Sequence, residues 1–425
     1  MRVLAACSLG GAGHLRPLEP LLDAARRAGH EVLVIGPPAL APLVAPSGHR
    51  FEAGGEPPEA EVARIREQLP VVGAAQASVL GNRDLFGRLA TEAMLPAMRS
   101  GVARFAPHLV LRDPCEYASA VVALELGVPV AQVAVSLAQA EAGSIAAARP
   151  ALEAHRPGLT AALELQPYLT RFPSLLDPSP FAVTRRFRSR DTAPRAPLPA
   201  WWGERRGPLV YMSFGTVLGH MALAGDVYRT ALDAVARLDA RVLLTVGHAL
   251  DPAVLGPVPS HVHVERWVDQ DRVLPHAELV VCHGGSGTTF GALEAGVPVV
   301  VVPSFSDQFE NGRRVAAAGA GTTVLPGGGA AAEGTGPGGA VARRRPISPH
   351  EAPRLTAAVL EVLGDPAYRR GAERIALDMA GAPGADEVLA DLLGAGSQPG
   401  PTAGADPLGD DLRPGPAPTR RPPGP

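Results

Sequence analysis

The side chains suited to group transfer lie in His283-Gly284-Gly285-Ser286-Gly287-Thr288, at the loop histidine His14, and at Asp113 ahead of a proline. In the first stretch an apolar run, Val280-Val281-Cys282, ends in a histidine, glycines and hydroxyls, and a helix is expected to begin near Ser286. The first turn of a helix leaves N–H groups unpaired and carries a partial positive charge, so a phosphate or diphosphate would sit there. Taken alone, the same pattern also fits an ordinary βα turn with a Ser/Thr cap, because glycine-rich turns are weak signals. His14 lies between a strand and a helix started by Pro17. A lone loop histidine needs no special role, and Asp113 reads equally as a turn residue or a helix cap. As a pair they have a chemistry. A carboxylate on one imidazole nitrogen fixes the tautomer, and the other nitrogen can take a proton from a hydroxyl.

All of these residues fall just after expected strands, and open α/β sheets bind ligands beyond the carboxyl ends of their strands. Residues 3–7 read as a buried strand, 17–28 as a helix stopped by Gly29, and 31–35 as the next strand. This βαβ opening fails the dinucleotide fingerprint. The third glycine would fall at Arg16, and Gly36-Pro37-Pro38 stands where a ribose-binding acid belongs. A nicotinamide or flavin site is not expected. Residues 59–105 read as mixed helix and loop, 108–112 and 128–135 as strands, and 145–170 as helix lining a pocket for an apolar ligand. The Pro- and Arg-rich stretch 185–202 lacks periodicity and reads as a linker. A second unit follows: strand 209–213, the turn Phe214-Gly215-Thr216, helix 222–237, and strands at 242–246 and 262–264.

The fold class is therefore α/β, with two doubly wound parallel sheets. The expected domains are 1–185 and 207–394, joined by 186–206, with the last helices packing back on the first domain. Residues 326–346 are a low-complexity loop, and 395–425 have almost no apolar content and should be disordered.

Composition narrows the chemistry further. A chain of 425 residues, 46% hydrophobic, can bury two cores, and a net charge of −3 exerts no pull on nucleic acid or a membrane surface. All 39 basic residues are arginine. Without lysine there is no Walker-A phosphate clamp, pyridoxal phosphate linkage or lysine aldolase chemistry. Cys7, Cys115 and Cys282 show neither a disulfide framework nor zinc spacing. No apolar run reaches about 18 residues and no basic–apolar leader opens the chain. A cytoplasmic protein without stable membrane insertion is expected.

Read together, residues 266–308 resemble the nucleotide-sugar signature of the family 1, UDP-glycosyltransferase-like enzymes, and more narrowly the actinobacterial glycosyltransferases that decorate antibiotics. The segments GAGHLRPL, LRDPCEYAS, LVYMSFGTVLGH, ERWVDQ, HGGSGTTFGALEAGVP and SDQ occur in the family's order, covering most of residues 1–385. The resemblance implies the GT-B fold, two Rossmann-like domains facing across a cleft with the donor held mainly by the second. It implies a small hydrophobic aglycone as acceptor, a dTDP- or UDP-sugar as donor, and neither cofactor nor metal. It leaves the oligomeric state open, a homodimer included.

Carried onto this chain, the resemblance assigns Trp267 to stacking on the donor base and the Val268 backbone to its edge. His283, Gly285, Ser286, Gly287 and Thr288 would hold the diphosphate, with Ser213 and Thr216 completing the cradle. Asp307 and Gln308 would bind sugar hydroxyls, His14 would be the general base, and Asp113 its partner. The implied reaction is inverting transfer to a hydroxyl, or to an aromatic carbon activated by the same base.

Two positions depart from the pattern. Gly291 stands where uridine-using members commonly have a ribose-binding glutamate, which favours a thymidine-type donor lacking the 2′-hydroxyl. Asp269 replaces a frequent proline. Two alternatives use the same residues: a nucleotide-sugar epimerase or hydrolase acting without an acceptor, and a catalytically silent homologue that binds a partner. The presence of both His14 and Asp113 weighs against the second.

Overall fold

A computed structural model describes residues 1–69, 71–188, 197–215, 218–220, 224–304, 307–327 and 347–395. The first sheet contains β1 (Arg2–Ala6), β2 (Glu31–Gly36), β3 (Arg50–Ala53), β4 (Leu109–Arg112), β5 (Val130–Val133), β6 (Tyr168–Thr170) and β7 (Thr184–Arg186). Every pairing is parallel, in the order β3-β2-β1-β4-β5-β6-β7. The second sheet contains β8 (Leu209–Ser213), β9 (Arg241–Thr245), β10 (Val262–Glu265), β11 (Leu279–Cys282), β12 (Val299–Val301) and β13 (Gly321–Thr323). It too is wholly parallel, in the order β10-β9-β8-β11-β12-β13.

Helices cover both faces of a parallel sheet, so its strands are buried on two sides and read as unbroken apolar runs. Leu279-Val280-Val281-Cys282 and Val299-Val300-Val301 are wholly buried for this reason. In each sheet the chain order reverses once, between β1 and β4 and between β8 and β11. The crevices beyond those strand ends are where an open α/β sheet takes its ligand. His14 and Asp113 follow the first pair; Ser213 ends β8 and His283 follows β11.

The two doubly wound sheets match the expectation, but several local readings need correction. The stretch 145–170 is not one helix. Helices Ala138–His155 and Leu159–Leu165 are followed by β6, whose three residues behind Pro167 are too few to show a period of two. The first sheet also runs past 185, because Arg186 belongs to β7, hidden in an arginine-rich stretch. The end of the linker is packed rather than loose: Trp201 stacks on His263 with centroids 4.9 Å apart, and the Arg241 guanidinium lies over Trp202. Within 59–105, a π-helical stretch, Val79–Ala90, precedes the helix Thr91–Phe105. Residues 189–196 of the linker, most of the low-complexity loop and the tail from 396 lie outside the described residues.

The helix Ala385–Ala395 packs back on the first domain. Its Val388, Leu389, Leu392 and Leu393 join a core containing Leu18 and, on the helix Glu19–Arg27, Leu21 and Leu22. Each buried Leu or Val contributes roughly 1.5–3 kcal/mol, whereas the exposed Arg27–Asp386 pair adds less than about 1 kcal/mol. The apolar face therefore decides the docking. Among the described residues, no helix is long and apolar enough to cross a membrane.

Candidate active site

The first half of the site grows out of the β1–β4 register. Ala6 pairs with Arg112, so the residues just past both strands, Ser8 and Asp113, lie side by side. Asp113 is fully buried and accepts from the Ser8 backbone N–H, the Ser8 hydroxyl at 2.9 Å and the Cys115 N–H at 2.8 Å. His14, on the short helix Ala12–Leu15, places Nδ1 3.3 Å from Asp113 Oδ2. The contact is a charge attraction and lacks the alignment of a good hydrogen bond. Burial alone would lower the imidazole pKa, but Asp113 outweighs it and holds His14 above its ordinary value. Burial would likewise raise the Asp113 carboxyl; His14, Ser8 and Cys115 together hold it below the usual carboxylate range.

A buried arginine fixes the loop carrying that carboxylate. The Arg112 guanidinium donates to the carbonyls of Asp113, Pro114 and Glu116 at 3.0–3.1 Å and to the Gln132 amide oxygen. Gln132 in turn donates to Glu141, which accepts from the Val135 and Ser136 N–H groups at 2.8 and 2.7 Å. Burial pushes the Glu141 carboxyl up to about 8. This network orients Ser136, whose hydroxyl donates across the domain boundary to Asp307 at 2.9 Å.

The second half grows from the β8–β11 register. Cys282 pairs with Ser213, which sets the turn after β8 against His283. Glycines are required around that histidine. A Cβ at Gly285 would lie 2.3 Å from His283 Nε2, and one at Gly215 would lie 2.8 Å from it. Gly284 has φ +88°, and a Cβ there would strike Val301 and the Gln308 carbonyl. Desolvation lowers the His283 pKa to about 4, although Asp307 and the Ser213 backbone push it back up, so the imidazole is neutral near pH 7. Its Nδ1 is buried without a hydrogen-bond partner.

The helix Ser286–Glu294 begins behind Gly285, which provides no side-chain cap. The Ser286 hydroxyl already donates its proton, to Asp307 at 2.9 Å, and Thr288 accepts from Gln270 at 3.1 Å. The first-turn amides are therefore the groups best placed to meet an anion. Asn311 braces this turn by donating to the Gly284 carbonyl, the Ser286 hydroxyl and Asp307.

These parts line a single cleft of about 1400 Å³, with His14 on one side and Trp267, Val268, His283, Gly285, Ser286, Gly287, Thr288, Asp307 and Gln308 on the other. Trp267 is 46% exposed and lines the cleft. Gln308 is buried, and its side-chain oxygen accepts from the Ser304 N–H at 2.8 Å. Asp113 lies behind His14, and Ser213 is buried at its strand end. Thr216 lies outside the described residues. Gly291 lines the cleft without a side chain, whereas Glu294 on the same helix does not line it. Asp269 caps the helix Gln270–Val273 by accepting from the Asp271 N–H at 3.1 Å, a role its position before a short helix makes legible.

On the first domain the cleft wall is built by Ser78, Asn82 and Phe86 around the π-helical stretch and by Val135 to Ser144, not by the expected 145–170. Ser8, Ser136 and Asn311 complete the geometry and carried no motif, and Gln270 closes the segment ERWVDQ without an assigned role. The only local hint is that Asn311 falls one helical turn after Asp307.

Comparison with known proteins places this geometry. Residues 23–183 match the N-terminal domain model, and residues 229–333 the C-terminal domain model, of the erythromycin biosynthesis protein CIII-like family. The chain is 32% identical over 335 residues to the L-demethylnoviosyl transferase of Streptomyces niveus, covering 76% of this chain and 85% of that protein. It is 33% identical over 351 residues to the elloramycin glycosyltransferase ElmGT of Streptomyces olivaceus, covering 77% and 87%. In fold it superposes on the spinosyn rhamnosyltransferase SpnG complexed with thymidine diphosphate, with a TM-score of 0.71 at 22% identity over 92% of this chain and 100% of that one. The chain belongs to the GT-B glycosyltransferases of family 1 that act in natural-product pathways.

Proposed function

We propose that the protein moves a sugar, typically a deoxysugar, from a nucleoside diphosphate, dTDP favoured over UDP, to a hydroxyl of a hydrophobic aglycone by one inverting displacement. The observation that carries this reading is the His14–Asp113 pair facing the uncapped Ser286 helix start across one cleft. His14 takes the acceptor proton while the acceptor oxygen attacks the anomeric carbon from the face opposite the diphosphate. An aromatic carbon beside a phenol ionised by the same base is a second acceptor class. Asp113 stabilises the imidazolium that forms. The first-turn amides, the helix dipole and the His283 imidazole stabilise the leaving diphosphate, so the mechanism calls on neither metal nor cofactor. Trp267 gives the base a stacking face, and Asp307 and Gln308 face the sugar.

The test is incubation with dTDP- and UDP-sugars and a panel of aromatic and macrocyclic acceptors, read by mass spectrometry. Acceptor mass increased by one sugar supports the reading. Sugar nucleotide isomerised or hydrolysed without acceptor contradicts it.

Donor choice follows from Gly291, which leaves the ribose position without a carboxylate. A 2′-hydroxyl then finds no partner to offset its desolvation. Calorimetry should show tighter binding of dTDP than of UDP; the reverse order contradicts the assignment. Gly285→Ala should weaken dTDP binding about tenfold, because the new Cβ displaces His283 from the anion site. Unchanged affinity would remove His283 from that site.

A further inference from the structure

Charge in the donor half of the cleft is unbalanced. Among its described lining residues, the donor half contributes Asp271 and Asp307 but no arginine. His283 is neutral there near pH 7. A nucleoside diphosphate gains a negative charge as it departs, and a helix start supplies only about half a positive charge. A full cation has to come from the first domain.

Four arginines of that domain line the cleft. Arg27 is bound to Asp386 by two contacts of 2.9 and 3.0 Å. Arg188 donates to the Ala382 carbonyl at 2.8 Å and lies near Glu387. Arg171 faces Glu19 and is engaged. Arg16 is different: it is exposed, and although it too faces Glu19, its guanidinium makes no hydrogen bond or close ion pair among the described residues. Its guanidinium instead lies 5.7 Å from the centroid of the Trp267 ring, across the domain boundary. It also caps the four-residue helix that carries His14, so base and cation move together on one turn.

We propose that Arg16 is the counter-cation of the departing nucleoside diphosphate, delivered by the acceptor domain from its contact with Trp267. This rests on the donor site proposed above. A base on that face of Trp267 needs about 3.5 Å on each side, more than the present gap allows, so its arrival displaces the guanidinium toward the diphosphate. In the transfer step the bond from the anomeric carbon to the diphosphate oxygen breaks, and its electron pair leaves with that oxygen. The acceptor oxygen forms the new bond, and its proton goes to His14. Arg16 binds the charge that appears on the diphosphate and exchanges no proton, since a guanidinium stays protonated.

The test compares wild type, Arg16→Ala and Arg16→Lys by calorimetry against thymidine diphosphate and thymidine. Arg16→Ala should bind thymidine diphosphate about tenfold or more weakly while holding thymidine as wild type does, and lysine should restore part of the loss. Turnover should fall with the pH profile of His14 unmoved. Unchanged binding of thymidine diphosphate, or an equal loss of both ligands, overturns the proposal and leaves the donor site standing. Wild-type protein that binds no nucleoside diphosphate removes the donor site itself, and this inference with it.

Discussion

Replacing His14 with alanine should remove most turnover and leave donor binding nearly intact. The imidazole lines the first-domain wall of the cleft, whereas the groups assigned to the base and diphosphate, Arg16 apart, lie in the second domain. A positioned general base contributes about 10²–10⁴ in rate. A fall in kcat of that size, with thymidine diphosphate affinity at the wild-type value, is the expected pair of results. Full activity in the variant would overturn the assigned base. The ring is partly exposed and sits on a four-residue helix, so its loss leaves the cores packed, and unchanged nucleotide affinity checks this directly.

Asp113→Asn is the second large effect, and its signature is a shift in pH. Asp113 holds the His14 pKa above its ordinary value, so in wild type the base loses its free form as pH falls through that raised value. Removing the carboxylate lets desolvation dominate and lowers the imidazole pKa. The acidic limb of kcat/KM should therefore move to lower pH. Turnover at the optimum should fall at the same time, by about a hundredfold, because the imidazolium formed in the reaction loses its counter-charge. An acidic limb that stays in place, with turnover unchanged, would show that the buried carboxylate does no more than brace Ser8 and Cys115.

The parts of the site legible in the sequence are those made by local physics. The run to Cys282 announces a buried strand, and the glycines after it announce a turn into a helix, so the place of His283 and Ser286 could be read without the fold. Gly284 and Gly285 are needed for reasons no local pattern contains, since the clashes a Cβ would make there involve Val301, Gln308 and the His283 ring. The pairing of His14 with Asp113 is likewise a matter of register: β1 and β4 are neighbours although 99 residues separate the two side chains. Ser136 reaching Asp307 spans 171 positions and joins two domains, a contact set by docking. The missed strands β6, β7 and β13 are three residues long and β3 is four, too short for alternation to be visible. The polar network through Arg112, Gln132 and Glu141 was invisible for a related reason. Each residue alone reads as a solvated polar position, and only burial turns the three into a support for the loop that carries Asp113.

The central claim is a single displacement in which His14 and the diphosphate lie on opposite faces of the anomeric carbon. The anomeric configuration of the product, measured by the proton coupling constant in NMR, tests it most directly. With an α-linked nucleoside diphosphate sugar as donor, the account predicts a β-linked product. An α-linked product contradicts it.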